Sequence, residues 1–230
     1  MTVTHNCVLP NALRIPALTK LANKRIVLAS ASPRRLQILR QFGLDPEIVP
    51  SKFAEDLPHD EFSNVYEYPV ATATEKAVEV YVRMVEENPD DPPSLVIAAD
   101  TVVLTKIASA GSNIHDSLLP EVRPDILEKP QDKGDNLRML LELNGYAIKS
   151  MDDRCIVHFH DSHISILEAY VDSEEGMDRA GGFALQERGA HLVSRVEGDF
   201  YNAVGFPGSA FFKWIGVLIN EEDDFMDFDI

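Results

Sequence analysis

Two adjacent arginines, Arg34 and Arg35, follow a run of small residues that includes Ser30. The guanidinium of arginine donates forked hydrogen bonds that fit phosphate oxygens. A turn of small residues that opens into a helix also points several backbone N–H groups at one spot, and the helix dipole favours an anion there. The pattern therefore predicts a phosphate-binding site. The alternative is that both arginines are solvated residues of a first helical turn.

A carboxylate, Asp100, interrupts the otherwise apolar stretch of residues 95–104, where only Thr101 beside it is also polar. A carboxylate buried in a strand is costly unless a metal ion, an arginine or hydrogen bonds compensate its charge. Asp100 is thus a candidate metal ligand or general base, and oxygen ligands suit magnesium or manganese. The alternative is a structural aspartate that local donors satisfy.

Hydrophobic patterns predict the elements that position these residues. Residues 26–28 form an apolar run typical of a buried strand, and Ser32 followed by Pro33 indicates the N-cap and first turn of a helix. Residues 70–87 show helical spacing, on which Lys76 either reaches a cleft with its stem buried or lies in solvent. Residues 95–104 are predicted to form another strand.

The C-terminal half is predicted to mix short strands, helices and a glycine turn. The predicted elements are a helix at 135–143, a β-rich stretch at 147–166, a helix at 167–172, a Gly-Gly turn and short strand ending at Gln186, a strand at 190–196 and a helix at 209–219. The amide of Gln186 carries both a donor and acceptors, which is the equipment needed to read the imide edge of a nucleobase.

Charge and composition restrict the kinds of partner. The net charge of −17 repels a nucleic-acid backbone, so no nucleic-acid partner is expected. No apolar run reaches the ~20 residues of a membrane helix. Two distant cysteines do not form a disulfide framework and favour a reducing compartment, so the expected location is cytoplasmic.

Three segments are expected along the chain. Residues 1–23 contain no acidic residue and are interpreted as an extension that is packed on the core or frayed, with a targeting peptide as the alternative. Residues 24–219 are expected to form a single catalytic domain with two lobes. Residues 220–230 are strongly acidic and are expected to form a solvated tail.

Four motifs in order resemble those of the Maf family of nucleoside-triphosphate pyrophosphatases. They are LASASPRR at the start, AADTVV in the centre, EKP at residues 128–130, and EEGMDRAGGFALQERGA followed by VEGDFYNAVGFP near the C-terminus. The resemblance implies an α/β fold with a two-lobed, mixed, bent sheet flanked by helices and a nucleotide in the central cleft. It also implies a homodimer.

The resemblance further implies hydrolysis of the α–β phosphoanhydride of a nucleotide with a divalent metal, Mg²⁺ or Mn²⁺, with Co²⁺ as a further candidate. The residues matched to the family's triphosphate site are Ser30, Arg34, Arg35 and Lys129. Lys76 matches a lysine of the second helix. Asp100 matches the proton acceptor and a metal-binding position, and Glu55 matches a nearby acidic position that shares the metal.

Substrate choice within the family is implied by three positions. Arg34, Thr101 and Gln186 match the set of the branch that resembles dTTP/UTP pyrophosphatases. The alternatives are the same reaction on CTP, modified uridine nucleotides or 7-methyl-GTP, or a nucleotide-binding regulator without turnover. The last alternative is motivated by Glu128, which replaces a glycine beside Lys129, and by the long loop at residues 106–126.

Overall fold

The structure is a computed structural model that describes residues 5–55, 57, 58, 62, 64, 66–103, 149–177 and 179–221. The helices and strands reported below belong to one compact unit, which combines residues before 104 with residues after 151. This unit contains helices and two small sheets, so the expectation of a mixed α/β fold is confirmed. None of its described helices is long and apolar enough to cross a membrane.

The described part of the chain contains five strands and six α-helices. The strands are β1 (Ile26–Leu28), β2 (Glu47–Ile48), β3 (Leu95–Ile97), β4 (Ile156–Phe159) and β5 (Val193–Glu197). The helices are α1 (Pro16–Leu21), α2 (Pro33–Gln41), α3 (Glu67–Glu87), α4 (Ile164–Val171), α5 (Phe200–Val204) and α6 (Gly208–Glu221). Two 3₁₀ helices, Ala180–Gly182 and Arg188–Leu192, lie between α4 and β5.

A parallel three-stranded sheet positions the N-terminal part of the site. β1 is the central strand, with β2 on one side and β3 on the other. Leu28 at the end of β1 pairs in register with Ile97 at the end of β3. Because neighbouring parallel strands have their carboxyl ends at the same edge, the residues after β1 and those after β3 come together there.

The two faces of β1 are buried by different helices. Val27 belongs to an apolar cluster with Val80 of α3, whereas Ile26 and Leu28 belong to a larger cluster on the other face. Side chains alternate between the faces of a strand, so helices on both sides bury every residue of β1.

The larger cluster joins both ends of the chain. The N-terminal helix α1 contacts the C-terminal helix α6, and Leu18 and Leu21 of α1 share the cluster with Phe212 and Ile215 of α6. Phe42, directly after α2, stacks on Phe212 with ring centroids 5.1 Å apart. The N-terminal segment was expected to be either packed on the core or frayed. Its helix α1 is packed on the core.

The second sheet is an antiparallel pair of β4 and β5, with α4 and the two 3₁₀ helices between them in sequence. Val157 pairs with Val196, and a register irregularity follows between His158 and Phe159. The turns between α4 and β5 face the parallel sheet across the cavity described below.

Several predicted elements are confirmed with small shifts at their ends. β1 lies at the predicted residues, and Ser32 and Pro33 begin α2 as expected. α3 begins at Glu67 rather than residue 70, and α6 begins at Gly208 rather than residue 209. The predicted helix at 135–143 and residues 222–230 of the tail lie outside the described residues.

Four strand predictions were wrong in extent or type. Residues 190–192 belong to a 3₁₀ helix, so the strand predicted at 190–196 begins only at Val193, as β5. β3 ends at Ile97 because its neighbour β1 ends at Leu28, so Asp100 follows the strand instead of lying in it. Residues 183–186 do not form a strand, because residues 183 and 184 have no regular secondary structure and residues 185–187 form a turn. Residues 164–166 belong to α4 rather than to a β-rich stretch, because the side chain of His163 caps the helix by accepting from the N–H of Ser165.

Candidate active site

A cavity of about 250 Å³ opens where the residues after β1 and β3 meet α3 and the turns before β5. Seven of the residues predicted for the site line it, namely Arg34, Arg35, Glu55, Lys76, Asp100, Thr101 and Gln186. Ser30 is buried and accepts a hydrogen bond from Arg35. Lys129 lies outside the described residues. The fold therefore brings eight of the predicted residues together from five separate stretches of chain.

Serine hydroxyl groups close the turn between β1 and α2. Ser30 Oγ accepts from the N–H of Ser32 at 3.2 Å, and Ser32 Oγ accepts from the N–H of Arg35 at 3.5 Å. Pro33 is the first residue of α2, where its missing N–H costs no hydrogen bond. These contacts fix the backbone from which Arg34 and Arg35 extend.

The guanidinium of Arg35 joins three separate loops. Its Nε donates to the carbonyl oxygen of Gly205 at 3.1 Å, its Nη1 to Ser30 Oγ at 3.2 Å, and its Nη2 to Thr101 Oγ1 at 3.4 Å. The planar fork of arginine makes such a three-way link possible, and the single ammonium of lysine would not reproduce its geometry. Arg35 thus holds the turns after β1, β3 and α5 against one another.

The charge of Arg35 is compensated at longer range. Burial lowers the pKa of its guanidinium, and the nearby carboxylates of Asp100 and Glu55 oppose that shift without cancelling it. The three acceptors described above carry no formal charge. An anion that enters the cavity would supply additional counter-charge, which favours phosphate binding at this position.

Lys76 lies between two carboxylates. Its side chain is only 8% exposed, and its Nζ lies 2.9 Å from Asp100 Oδ1 and 2.9 Å from Glu55 Oε2. The alternative of a solvated lysine is therefore wrong. The carboxylate of Asp100 is 12% exposed, and Lys76 compensates its charge by donating a charge-assisted hydrogen bond.

The position of Lys76 follows from the packing of α3. The buried residues Thr72, Lys76, Val80 and Met84 recur every fourth position, so they lie along one face of the helix. Val80 and Met84 pack against the parallel sheet. The stem of Lys76 is buried along the same stripe, and its amine reaches the end of β3.

Thr101 is part of the contacts of Arg35. Its hydroxyl donates to the carbonyl oxygen of Gly205 at 3.4 Å and accepts from Arg35. Gly205 has a φ of +124°, a conformation that glycine adopts readily and other residues rarely do. The hydroxyl proton of Thr101 is therefore directed at Gly205, which gives this side chain a role in holding the cavity wall.

The opposite wall contains Gln186 and two charged residues that the sequence did not single out. Gln186 is exposed at the cavity, and Arg179 and Glu187 line it beside Gln186. Arg179 Nη2 lies 3.3 Å from Glu187 Oε1. A basic residue two positions before the first glycine of the pair was the available sequence signal for Arg179, because glycines permit close approach of a ligand.

The charges around the cavity differ from those of the whole chain. Its lining contains four basic side chains (Arg34, Arg35, Lys76, Arg179) and three acidic ones (Glu55, Asp100, Glu187), whereas the chain carries a net charge of −17. The cavity is thus a basic island on an acidic protein. This distribution suits a small polyphosphate better than a nucleic acid.

The donor set is compatible with a hard divalent cation. Within the described residues, no three histidine, cysteine or acidic side chains are grouped as a metal site. Asp100 and Glu55 nevertheless approach the same ammonium and line the same cavity. Magnesium is often held by one or two carboxylates and completed by substrate phosphates and water, so these two residues fit such an ion.

Comparison with known proteins identifies the family. The profile of a family described as "Maf-like protein" matches residues 25–217, which is well over half of the chain. The chain belongs to this family. The match includes all of the cavity residues described above.

Similar proteins come from distant organisms. The chain is 39% identical over 220 residues to a human protein named "Probable bifunctional dTTP/UTP pyrophosphatase/methyltransferase protein". The aligned region includes 86% of this chain and 32% of the human protein. It therefore spans about a third of that relative. It is 34% identical over 230 residues to the dTTP/UTP pyrophosphatase of Schizosaccharomyces pombe, covering 89% of this chain and 88% of the relative. The dTTP/UTP pyrophosphatase of Caldicellulosiruptor bescii is also 34% identical, over 80% of this chain and 89% of the relative.

Proposed function

We propose that this protein is a nucleoside triphosphate pyrophosphatase that hydrolyses dTTP and UTP to the monophosphate and pyrophosphate. The observation that carries the proposal is the buried Lys76–Asp100 pair on the wall of a cavity that Arg34 and Arg35 also line. The names of the Schizosaccharomyces pombe and Caldicellulosiruptor bescii relatives support the substrate class.

The reaction divides into binding and proton transfer. The arginines and Lys76 neutralise charge on the triphosphate, which lowers the barrier to attack on phosphorus. A water oxygen attacks the α-phosphorus and the bond to the bridging oxygen breaks, so that pyrophosphate leaves. Asp100 accepts the proton of the attacking water, since a carboxylate engaged by Lys76 at Oδ1 retains acceptor capacity.

The metal ion belongs to the same proposal. Asp100 and Glu55 would hold Mg²⁺, Mn²⁺ or Co²⁺. When bound, such an ion neutralises phosphate charge and helps to orient the attacking water. Lys129 is proposed to bind the triphosphate beside Ser30, Arg34 and Arg35, and Gln186 to contact the base. Thr101 is proposed to act in base selection by holding the wall of the cavity.

The finer features of the fold are proposed on the family resemblance. The proposed arrangement is a two-lobed catalytic domain at residues 24–219 with a bent mixed sheet, preceded by the extension at 1–23 and followed by the acidic tail at 220–230. The protein is proposed to form a homodimer in the cytoplasm. An experimental structure with bound nucleotide, together with the molar mass in solution, would test these features.

A nucleotide panel tests the activity. Pyrophosphate and monophosphate are quantified after incubation of dTTP, UTP, CTP, modified uridine triphosphates and 7-methyl-GTP with Mg²⁺, Mn²⁺ or Co²⁺. The proposal predicts the highest kcat/KM for dTTP and UTP. A preference for CTP or 7-methyl-GTP would correct the substrate, and tight binding without hydrolysis of any nucleotide would indicate a regulator.

The metal assignment has its own test. Chelation should abolish pyrophosphate release, and added Mn²⁺ should restore it. Glu55→Gln should raise the Mn²⁺ concentration needed for half-maximal activity, because a charged oxygen ligand is lost. If Glu55 were only a partner of Lys76, the Mn²⁺ dependence would be unchanged.

A further inference from the structure

The cavity wall formed by residues 179–189, here called the recognition loop, contains no strand of its own, and its Phe183 packs against Phe159 of β4 with ring centroids 5.0 Å apart. Five consecutive residues of this loop, 183–187, line the cavity, and Gln186 is one of them. The backbone there runs through turns and two 3₁₀ helices. A loop of this kind keeps a fixed shape only if other groups satisfy its backbone N–H groups.

Tyr170, at the end of α4, satisfies the first of these groups. Its side chain is buried, and its hydroxyl oxygen accepts from the N–H of Ala184 at 3.0 Å. The hydroxyl lies near Glu175, because the carboxylate of Glu175 helps to raise the pKa of Tyr170 and the hydroxyl of Tyr170 helps to lower the pKa of Glu175. Ala184 is itself buried and lines the cavity. Tyr170 therefore anchors the loop just before Gln186.

Glu175 anchors the loop just after Gln186. Its carboxylate accepts from the N–H of Gly189 at 3.0 Å through Oε1 and from the N–H of Arg188 at 3.2 Å through Oε2. The side chain of Glu175 is only 9% exposed, although it carries a charge. A buried carboxylate bonded to two backbone N–H groups is well suited to fixing a loop.

The two anchors act on one tightly packed turn. A Cβ placed on Gly189 would lie 2.7 Å from the carbonyl oxygen and 2.8 Å from the nitrogen of Ala184, so only glycine fits there. The carbonyl of Ala184 also accepts from the N–H of Glu187 at 3.2 Å. Gln186 thus lies on a short turn that Tyr170 holds at one end and Glu175 holds at the other.

We propose that Tyr170 and Glu175 are positioning residues that set the selectivity of the protein for its nucleobase. Neither residue is among those that line the cavity. They act through Gln186, whose amide can discriminate between base edges only if its position is fixed. This inference rests on the proposed function, because it concerns the same nucleotide site.

The test uses two conservative variants and a matched control. Glu175→Gln keeps the size of the side chain but replaces one acceptor oxygen with a donor, and Tyr170→Phe removes the acceptor of the Ala184 N–H. Glu174→Gln makes the same chemical change at the neighbouring residue, which is exposed. Amide hydrogen exchange at Ala184, Arg188 and Gly189 reports the anchoring, and kcat and KM for UTP and CTP report selectivity.

Both variants are expected to increase exchange locally by about ten-fold, at Ala184 for Tyr170→Phe and at Arg188 and Gly189 for Glu175→Gln. They are also expected to lower the ratio of kcat/KM for UTP to that for CTP by about ten-fold, mainly through KM for UTP. Glu174→Gln should change neither quantity. Faster exchange with an unchanged ratio would overturn the proposal, and so would unchanged exchange.

The experiment separates this inference from the proposed activity. If the wild-type protein hydrolyses no pyrimidine nucleotide, the proposed activity fails, and calorimetric affinities for UMP and CMP replace the kinetic ratio. A lower UMP-to-CMP affinity ratio in both anchor variants would then still support the positioning role. An unchanged ratio, or no binding of either nucleotide, would overturn it.

Discussion

On one side of the cavity, Arg35 and Lys76 extend from helices and are held by buried contacts with residues that follow the parallel strands. On the other side, Gln186 is exposed on a turn whose two ends donate backbone hydrogen bonds to Tyr170 and Glu175. We call the first the charged side, defined by Arg35, Lys76, Asp100 and Thr101. The second side is the recognition loop, residues 179–189.

The difference suggests a division of labour. Groups that stabilise developing charge must be fixed before the substrate arrives, and regular elements with buried contacts achieve this. Groups that distinguish one base from another can lie on a loop, because loops tolerate sequence change while a scaffold preserves the chemistry. Changes on the charged side should therefore affect kcat and stability together, whereas changes in the recognition loop should affect KM and selectivity.

The largest effect is expected for Lys76→Met. This change removes the ammonium between Asp100 and Glu55 but keeps most of the buried stem. The value of kcat should fall by about 10²–10³-fold, because the variant loses the fixed charge that we propose to lie beside the reacting phosphate. The free energy of unfolding should fall by about 3 kcal/mol, because Asp100 loses its partner. Pyrophosphate release and urea denaturation measure the two effects.

Lys213→Met is the control for that change. Lys213 lies on α6 and is exposed, so its replacement should leave both kcat and the free energy of unfolding close to those of the wild type. A Lys76→Met protein with normal kcat would contradict the role assigned to the charged side.

Gln186→Leu should have the next largest effect. The value of kcat/KM for UTP should fall by about 10–100-fold through KM, because the amide that we propose to contact the base is lost. Stability should not change, because the side chain is exposed. Gln37→Leu makes the same replacement at an exposed position of α2 and should be neutral. A loss in kcat as large as that of Lys76→Met would remove the distinction between the two sides.

Thr101→Val tests the contacts within the charged side. The valine cannot accept from Arg35 or donate to the carbonyl of Gly205, so the free energy of unfolding should fall by about 1 kcal/mol. Thr101→Ser preserves the hydroxyl and should behave like the wild type. Urea denaturation measures the free energy of unfolding of both variants. Equal values for Thr101→Val and Thr101→Ser would show that the hydroxyl contributes nothing to stability.

The smallest effect concerns the pH dependence of the recognition loop. Burial alone would raise the pKa of Glu175, but the N–H groups of Gly189 and Arg188 and the hydroxyl of Tyr170 lower it below its ordinary value of 4.5. Because the folded state has the lower pKa, this stabilisation is present above about pH 4.5 and is lost as the pH falls through the folded-state value.

Glu175→Gln should therefore reduce the slope of stability against pH in the acid range, as measured by urea denaturation at several pH values. Glu174→Gln carries the same loss of charge and should keep the wild-type slope. Identical slopes for the two variants would show that Glu175 is not held by the loop.

The sequence predicted the charged side better than the recognition loop, and the reason is physical. Ser32 and Pro33 act within one helical turn, so the start of α2 could be predicted from local rules. The ion pair of Lys76 with Asp100 joins α3 to the end of β3, and spacing alone did not reveal whether the lysine was buried.

The recognition loop depends on contacts that local patterns do not contain. Residues 183–186 have the composition of a strand, but the N–H of Ala184 bonds to Tyr170, fourteen residues earlier, instead of to a neighbouring strand. Glu175 was part of a family motif without an assigned role, because its two backbone partners become apparent only once the chain has folded.

The most direct test of the account is pyrophosphate release from dTTP and UTP with Mn²⁺, measured for the wild type beside Asp100→Asn. The account predicts turnover by the wild type and a loss of about 10²–10⁴-fold in the variant, with the fold intact by circular dichroism. An Asp100→Asn protein that releases pyrophosphate at the wild-type rate would contradict the assignment of Asp100. A wild-type protein that releases none from either nucleotide would contradict the proposed activity itself.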